Sequence, residues 1–140
     1  MTGLPPGYTL RDGADAAAAQ TFLVDSYWNK GVGVDEVALS LAHSLAVSVW
    51  HDGGQVGMAR VVSDRVTIAY LNDVYVLDAH RGKGLARAMV QYLRALDVLQ
   101  GVGRWLLFTK DAQDLYAQLG WREYPWPERT MIVDHKVFPQ

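Results

Sequence analysis

Between Ser44 and Leu77 the chain reads SLAVSVWH, a polar turn, VGMARVVS, a second polar turn, and VTIAYLNDVYVL. Alternation at period two sends successive side chains to opposite faces, which a strand requires and a helix does not allow. Leu45, Val47 and Val49 share one side of the first run, and Ala46, Ser48 and Trp50 share the other. Asp52-Gly53-Gly54-Gln55 is a hairpin turn, since paired glycines tolerate positive φ, and Ser63-Asp64-Arg65 is the next turn. Connections this short make the three runs, 44–51, 56–63 and 66–77, an antiparallel meander.

The flanks add helices. Tyr8–Arg11 is a short first strand after Pro5-Pro6-Gly7. DAAAAQTFLVDSYW is a helix from Asp15 to about Trp28, with Phe22, Leu23, Ser26 and Tyr27 on one face, and Val34–His43 is a second helix. After the meander, Leu85, Met89, Tyr92/Leu93 and Leu96 form an apolar stripe opposite the wet Arg87, Gln91 and Arg94, and Gly101 and Gly103 stop that helix. RWLLFT (104–109) suits a strand covered on both faces, and 111–120 a short helix with an Asp N-cap and a Gly C-cap. A strand is expected from Trp121, interrupted by the PWP at 125–127, with TMIVDH (130–135) as the closing strand. The predicted fold is α/β (α+β): a mixed, mostly antiparallel sheet of about six to seven strands flanked by about four helices.

Composition narrows the chemistry. With 140 residues, half of them hydrophobic, the chain suits one domain spanning 1–140. It has no cysteine, which excludes a disulfide framework, thiolate metal sites and a cysteine nucleophile. A net charge of −2 supplies no positive field for nucleic acid. The first residues lack a signal-peptide pattern and no apolar run approaches the roughly 20 residues of a bilayer span, so the expectation is a cytoplasmic protein with no membrane partner.

The stretch AHRGKGLARAM (79–89) follows the third strand of the meander and opens a helix. Backbone N–H groups at a helix start have no helical acceptor, and the helix dipole adds partial positive charge, so an anion is stabilised there. Gly82 and Gly84 give a phosphate access to naked backbone, and Arg81 and Lys83 add charge. The plainer alternative is a strand-to-helix turn with two exposed cations. A Walker A loop is excluded for want of GxxxxGK followed by Ser or Thr, and the Rossmann GxGxxG for want of its third glycine.

NDVYVLDAHRGKGLARAM resembles the acyl-CoA-binding motif of the GNAT N-acetyltransferase superfamily, (Gln/Arg)-x-x-Gly-x-(Gly/Ala), with Ala79 where Gln or Arg is usual. Downstream, DAQDLYAQLGW resembles that family's Ala-x-x-Leu-Tyr-x-x-x-Gly-(Phe/Trp) signature. The order of elements is similar from Tyr8 to Asp134. The resemblance implies acetyl-CoA (coenzyme A) as cofactor, its pyrophosphate on the N–H groups of Arg81, Gly82, Lys83, Gly84, Leu85 and Ala86, with the Arg81 and Lys83 side chains as outer charges. It implies a pantetheine arm along Val74, Tyr75 and Val76, opposite 104–109, with an N–H of that stretch on the thioester carbonyl. Tyr116 is then the general acid that protonates the leaving thiolate; taken alone it reads as a core aromatic.

The acceptor side is read from Tyr27 and Trp28, at the edge of the cleft or packed in the core, and from Asn72, which stands where many relatives carry a carboxylate. Strand alternation sends Asp73 to the face opposite Asn72 and Val74 unless a bulge intervenes, and its expected role is a structural acceptor. His80 is expected as a solvated neighbour of the loop. His43, His51 and His135 show no metal spacing, so no metal and no base are assigned. Trp126 between prolines is a lid or a guard on a sheet edge. The implied function is transfer of an acetyl group to a primary amine of a small molecule or peptide; the alternatives are a non-catalytic acyl-CoA sensor and a nucleic-acid binder using Arg81, Lys83, Arg87 and Arg94. Family members often dimerise through late strands, which leaves room for a homodimer.

Overall fold

The computed structural model describes residues 3–135. One sheet of five strands runs in the order β1 (Tyr8–Asp12), β2 (Leu45–His51), β3 (Gly54–Ser63), β4 (Ala69–Val76), β5 (Trp105–Leu106). Neighbours are antiparallel except β4 and β5, which are parallel. The helices are α1 (Ala16–Leu23), α2 (Val34–Ala42), α3 (Leu85–Arg94) and α4 (Gln113–Gln118).

The meander forms as the alternation predicts, with a tighter first turn. Asp52 (φ 49) and Gly53 (φ 77) alone make it, a two-residue hairpin that both residues tolerate, and Gly54 already belongs to β3. Each sheet face has its own core. Val47, Val49, Ala59, Val61 and Leu71 meet Leu85, Met89 and Leu93 of α3, while Met58 and Tyr75 meet Ala19, Leu23 and Val37 of α1 and α2. Gly57 is where the sheet admits no side chain: a Cβ there would lie 2.7 Å from the Tyr75 carbonyl oxygen.

Four expectations are corrected. The first helix ends at Leu23 rather than Trp28, because buried Ser26 donates its hydroxyl to the Leu23 carbonyl and accepts the Asn29 N–H, turning the chain. Tyr27 and Trp28 therefore sit on a loop. The run 104–109 pairs only over Trp105–Leu106, and Phe108 is exposed rather than covered. Asp111 does not cap α4; the Thr109 hydroxyl accepts the Ala112 N–H instead. The strands expected from Trp121 and over 130–135 do not form among the described residues, so the sheet has five strands rather than six or seven. Pro125 and Pro127 withdraw two backbone donors, a 3-10 turn occupies Pro127–Arg129, and Met131, Ile132 and Val133 stand exposed.

Candidate active site

The site begins where β4 parts from β5. The two strands pair at Ala69–Trp105 and Tyr70–Leu106, and β4 then runs on alone to Val76. Leu77 N donates to Val56 O of the β3 side, so by alternation the backbone of Tyr75 also faces β3 while that of Val74 and Val76 faces the gap. The Val76 carbonyl, free of β3, accepts Arg81 Nε at 3.1 Å. Their side chains divide differently. Val74 and Val76 join the α3 core, and Tyr75 stacks on Phe22 at 4.3 Å with its hydroxyl accepting from Gln55 Nε2.

A bulge interrupts β4 here. Met58 pairs with Tyr75 and Arg60 with Asn72, which leaves Asp73 and Val74 opposite Ala59. Asp73 takes φ 52, a left-handed value that costs a non-glycine residue about 1–3 kcal/mol, aspartate being among the more tolerant. Its N–H is capped by Asn72 Oδ1 at 2.8 Å. The bulge turns the Asp73 side chain onto the face of Asn72, where plain alternation would not have put it. Both carboxylate oxygens are engaged: Arg60 Nε donates to Oδ2 at 2.6 Å and Trp28 Nε1 to Oδ1 at 2.7 Å. Arg60 also donates to Ser44 Oγ, and the ion pair is buried. With a donor on each oxygen, Asp73 serves as a structural acceptor.

At the far end of β4 a 3-10 turn, Asp78–His80, leads into the glycine loop. Gly82 (φ 77) and Gly84 (φ 76) are left-handed, and a Cβ at either would meet nothing within 4 Å, so the loop's outer face is open. The first bond of α3 is Ala88 N to Gly84 O, which leaves the N–H groups of Leu85, Ala86 and Arg87 without a helical acceptor. Two details differ from expectation. Arg81 N donates to Asp78 O, and the Arg81 guanidinium is tied to Val76 O and Asp78, so it braces the turn rather than projecting as a free charge. His80 is packed rather than solvated: its Nδ1 is 2.7 Å from the Tyr8 hydroxyl, and Tyr8 stacks on His51.

Tyr116 is placed by a helix end. Gly120, at φ 95, follows Leu119, which caps the end of α4; its N–H donates to Ala117 O and the Trp121 N–H to Tyr116 O. This six-to-one and five-to-two pair of bonds brings Trp121 against the Tyr116 ring at 5.9 Å. Arg87 and Arg94 lie on the wet face as expected and there donate to Gln118 Oε1 and the Leu119 carbonyl, which ties the end of α4 to α3. Burial, with a smaller contribution from the nearby Tyr27 phenol, pushes the Tyr116 hydroxyl up to about 12, so it is a proton donor at any physiological pH. Tyr27 also lies under Lys110 Nζ (5.4 Å) and edge-on to Trp28 (5.0 Å). Tyr27 is thus the link between Trp28 and Asp73 on one side and Lys110 and Tyr116 on the other. Arg60 was not foreseen, since nothing in VGMARVVS marks one inward-facing arginine as a partner for a residue 13 positions later.

A family model for an acetyltransferase (GNAT) domain matches residues 42–123, from the start of the meander through α4. The chain belongs to the GNAT family. A crystal structure from Xanthomonas campestris pv. campestris assigned to the same family has 34% sequence identity and a TM-score of 0.85, over 97% of this chain and 96% of that one. A Gibberella zeae protein named for a proposed acetyltransferase activity is 42% identical over 74 residues, half of this chain and 41% of that protein. This chain therefore spans well under half of that relative's length. An Arabidopsis thaliana glucosamine-6-phosphate N-acetyltransferase shares the GNAT fold, at a TM-score of 0.63 and 14% identity. Among the described residues no helix is long and apolar enough to cross a membrane.

Proposed function

We propose that this GNAT protein transfers an acetyl group from acetyl-CoA to a primary amine of a small molecule or peptide. The observation that carries the reading is the unpaired edge of β4, which ends in an open glycine loop at a helix start. The residues present fit the cofactor. Gly82 and Gly84 leave a cradle with no side chain in it, the N–H groups of 82–86 are the donors for a pyrophosphate, and Lys83 adds outer charge. The Val74 and Val76 backbone would pair with the amide-bearing arm of coenzyme A, which supplies the acyl group as a thioester.

In the mechanism, the Val74 N–H would donate to the carbonyl oxygen of the acyl group that coenzyme A supplies and favour the negative charge building there, an effect often worth about 3–4 kcal/mol. As the C–S bond breaks, Tyr116 Oη would give its proton to the departing sulfur and take one back from solvent. Tyr27, Trp28 and Asn72 edge the space from which the amine arrives. Asp73 is consumed by Arg60 and Trp28, so the attacking amine loses its proton to solvent.

Because the chain has no cysteine, a thiol reagent reads coenzyme A release without background from the protein. Acetyl-CoA with a panel of small and peptide amines should release thiol, and Tyr116→Phe should cut kcat about 100-fold or more while leaving cofactor affinity unchanged. Equal loss of turnover and affinity would make Tyr116 a packing residue only.

A further inference from the structure

Asp73 is a costly residue for a plain structural acceptor. It is buried and charged, holds a left-handed backbone, and has each carboxylate oxygen claimed by a side chain from a different element. Arg60 comes from β3, one strand inward, and is fixed in turn by Ser44, the residue before β2. Trp28 comes from the loop between α1 and α2, which also carries Tyr27. Asn72 caps the Asp73 N–H on the same face. Tyr70 stands close enough that Arg60 and Asp73 each act on its phenol, with opposite sign, though burial dominates. Two other elements therefore converge on one residue of β4, the residue that makes the bulge. The next residue is Val74, whose N–H faces the gap.

We propose that Asp73, clamped between Arg60 and Trp28, is the positioning residue of the acyl-transfer site. It pins the β4 bulge so that the Val74 N–H stays aimed into the gap, and it ties that bulge to the loop carrying Tyr27 and Trp28. This rests on the acetyltransferase reading and adds to it a link between the acceptor side and the thioester side. A bulge is free to slide along its strand or to be absorbed by a shift of register, and either would rotate Val74 away from the gap. Two rigid donors on opposite oxygens remove that freedom. The Trp28 bond does more, because a displacement of the Tyr27–Trp28 loop by an arriving acceptor is transmitted to Asp73 and so to Val74.

The test separates positioning from folding with three variants. Trp28→Phe keeps the ring and deletes only the N–H. Asp73→Asn keeps the shape and a residue type that accepts a left-handed φ. Arg60→Met with Asp73→Asn removes both buried charges together, so that no unpaired charge unfolds the chain. In each folded variant we expect acetyl-CoA affinity within about threefold of wild type, kcat lower by about 10- to 100-fold, and faster exchange and a broadened NMR resonance for the Val74 amide. Folded variants with wild-type kcat and an unchanged Val74 amide overturn the proposal, as does a kcat loss matched by the same loss of cofactor affinity. If the wild-type protein neither binds nor uses acetyl-CoA, the proposed function falls while the amide measurement still decides whether the clamp holds the bulge.

Discussion

A single methyl group at Gly84 separates the fold's use of that glycine from a ligand's. Gly84 stands at φ 76, where a side chain costs about 1–2 kcal/mol, and a Cβ there would touch nothing within 4 Å, so no clash adds to that cost. For a chain of this size the melting temperature of Gly84→Ala should fall by about 3–8 °C. Gly13 is the matched control: φ 75, nothing within 4 Å, near Leu96 and Val98 beyond the other end of α3, roughly 15 Å away by helix rise. Gly13→Ala should lose the same stability. Only at Gly84 would the methyl occupy the place of a phosphate oxygen, costing one or more charge-assisted hydrogen bonds at about 1.5–3 kcal/mol each. That is roughly a 10- to 150-fold rise in Kd for acetyl-CoA, measured calorimetrically on protein shown to be folded. Wild-type affinity in Gly84→Ala, or an equal loss in Gly13→Ala, would refute the reasoning.

Other outcomes follow from the same contacts. The Tyr116 phenol is raised in the folded chain, so its contribution to stability is whole below pH 10 and is lost as pH rises toward 12; Tyr116→Phe should flatten that alkaline limb in pH-dependent melts, and an unchanged limb would contradict the burial argument. Asp64 is held below its ordinary value by the Thr67 hydroxyl and then by the Val66 and Thr67 N–H groups, so its contribution is present above pH 3.8 and lost as pH falls below it. Asp64→Asn should remove that acid sensitivity in the same melts. Gly57→Ala would force a Cβ against the Tyr75 carbonyl and Val49, and should cost about 1–3 kcal/mol in denaturant unfolding; a neutral result would mean the β3–β4 interface yields easily.

The sequence disclosed the parts of the fold whose cause is local. The meander announced itself through alternation, the glycine loop through Gly82 and Gly84, and α3 through its stripe from Leu85 to Leu93. What it hid depends on partners distant in the chain. The bulge at Asp73 is stabilised by Arg60 and Trp28, 13 and 45 residues away, and alternation alone predicts the wrong face for it. Ser26 ended a helix that composition would have continued, because its hydroxyl joins its own N–H on the Leu23 carbonyl and also holds the Asn29 N–H, which turns the chain. The apolar run at 104–109 looked like a full strand, yet β4 turns away after Tyr70 and gives it nothing to pair with. That same failed pairing opens the candidate site.

The open loop and the free β4 edge together make the proposed seat for a coenzyme A thioester. The most direct test is calorimetric titration of the wild-type protein with acetyl-CoA, with adenosine diphosphate as control. The thioester should bind in the micromolar range, well tighter than the diphosphate, because the β4 edge adds contacts that the loop alone lacks. No heat with either ligand, or equal affinity for both, would contradict it.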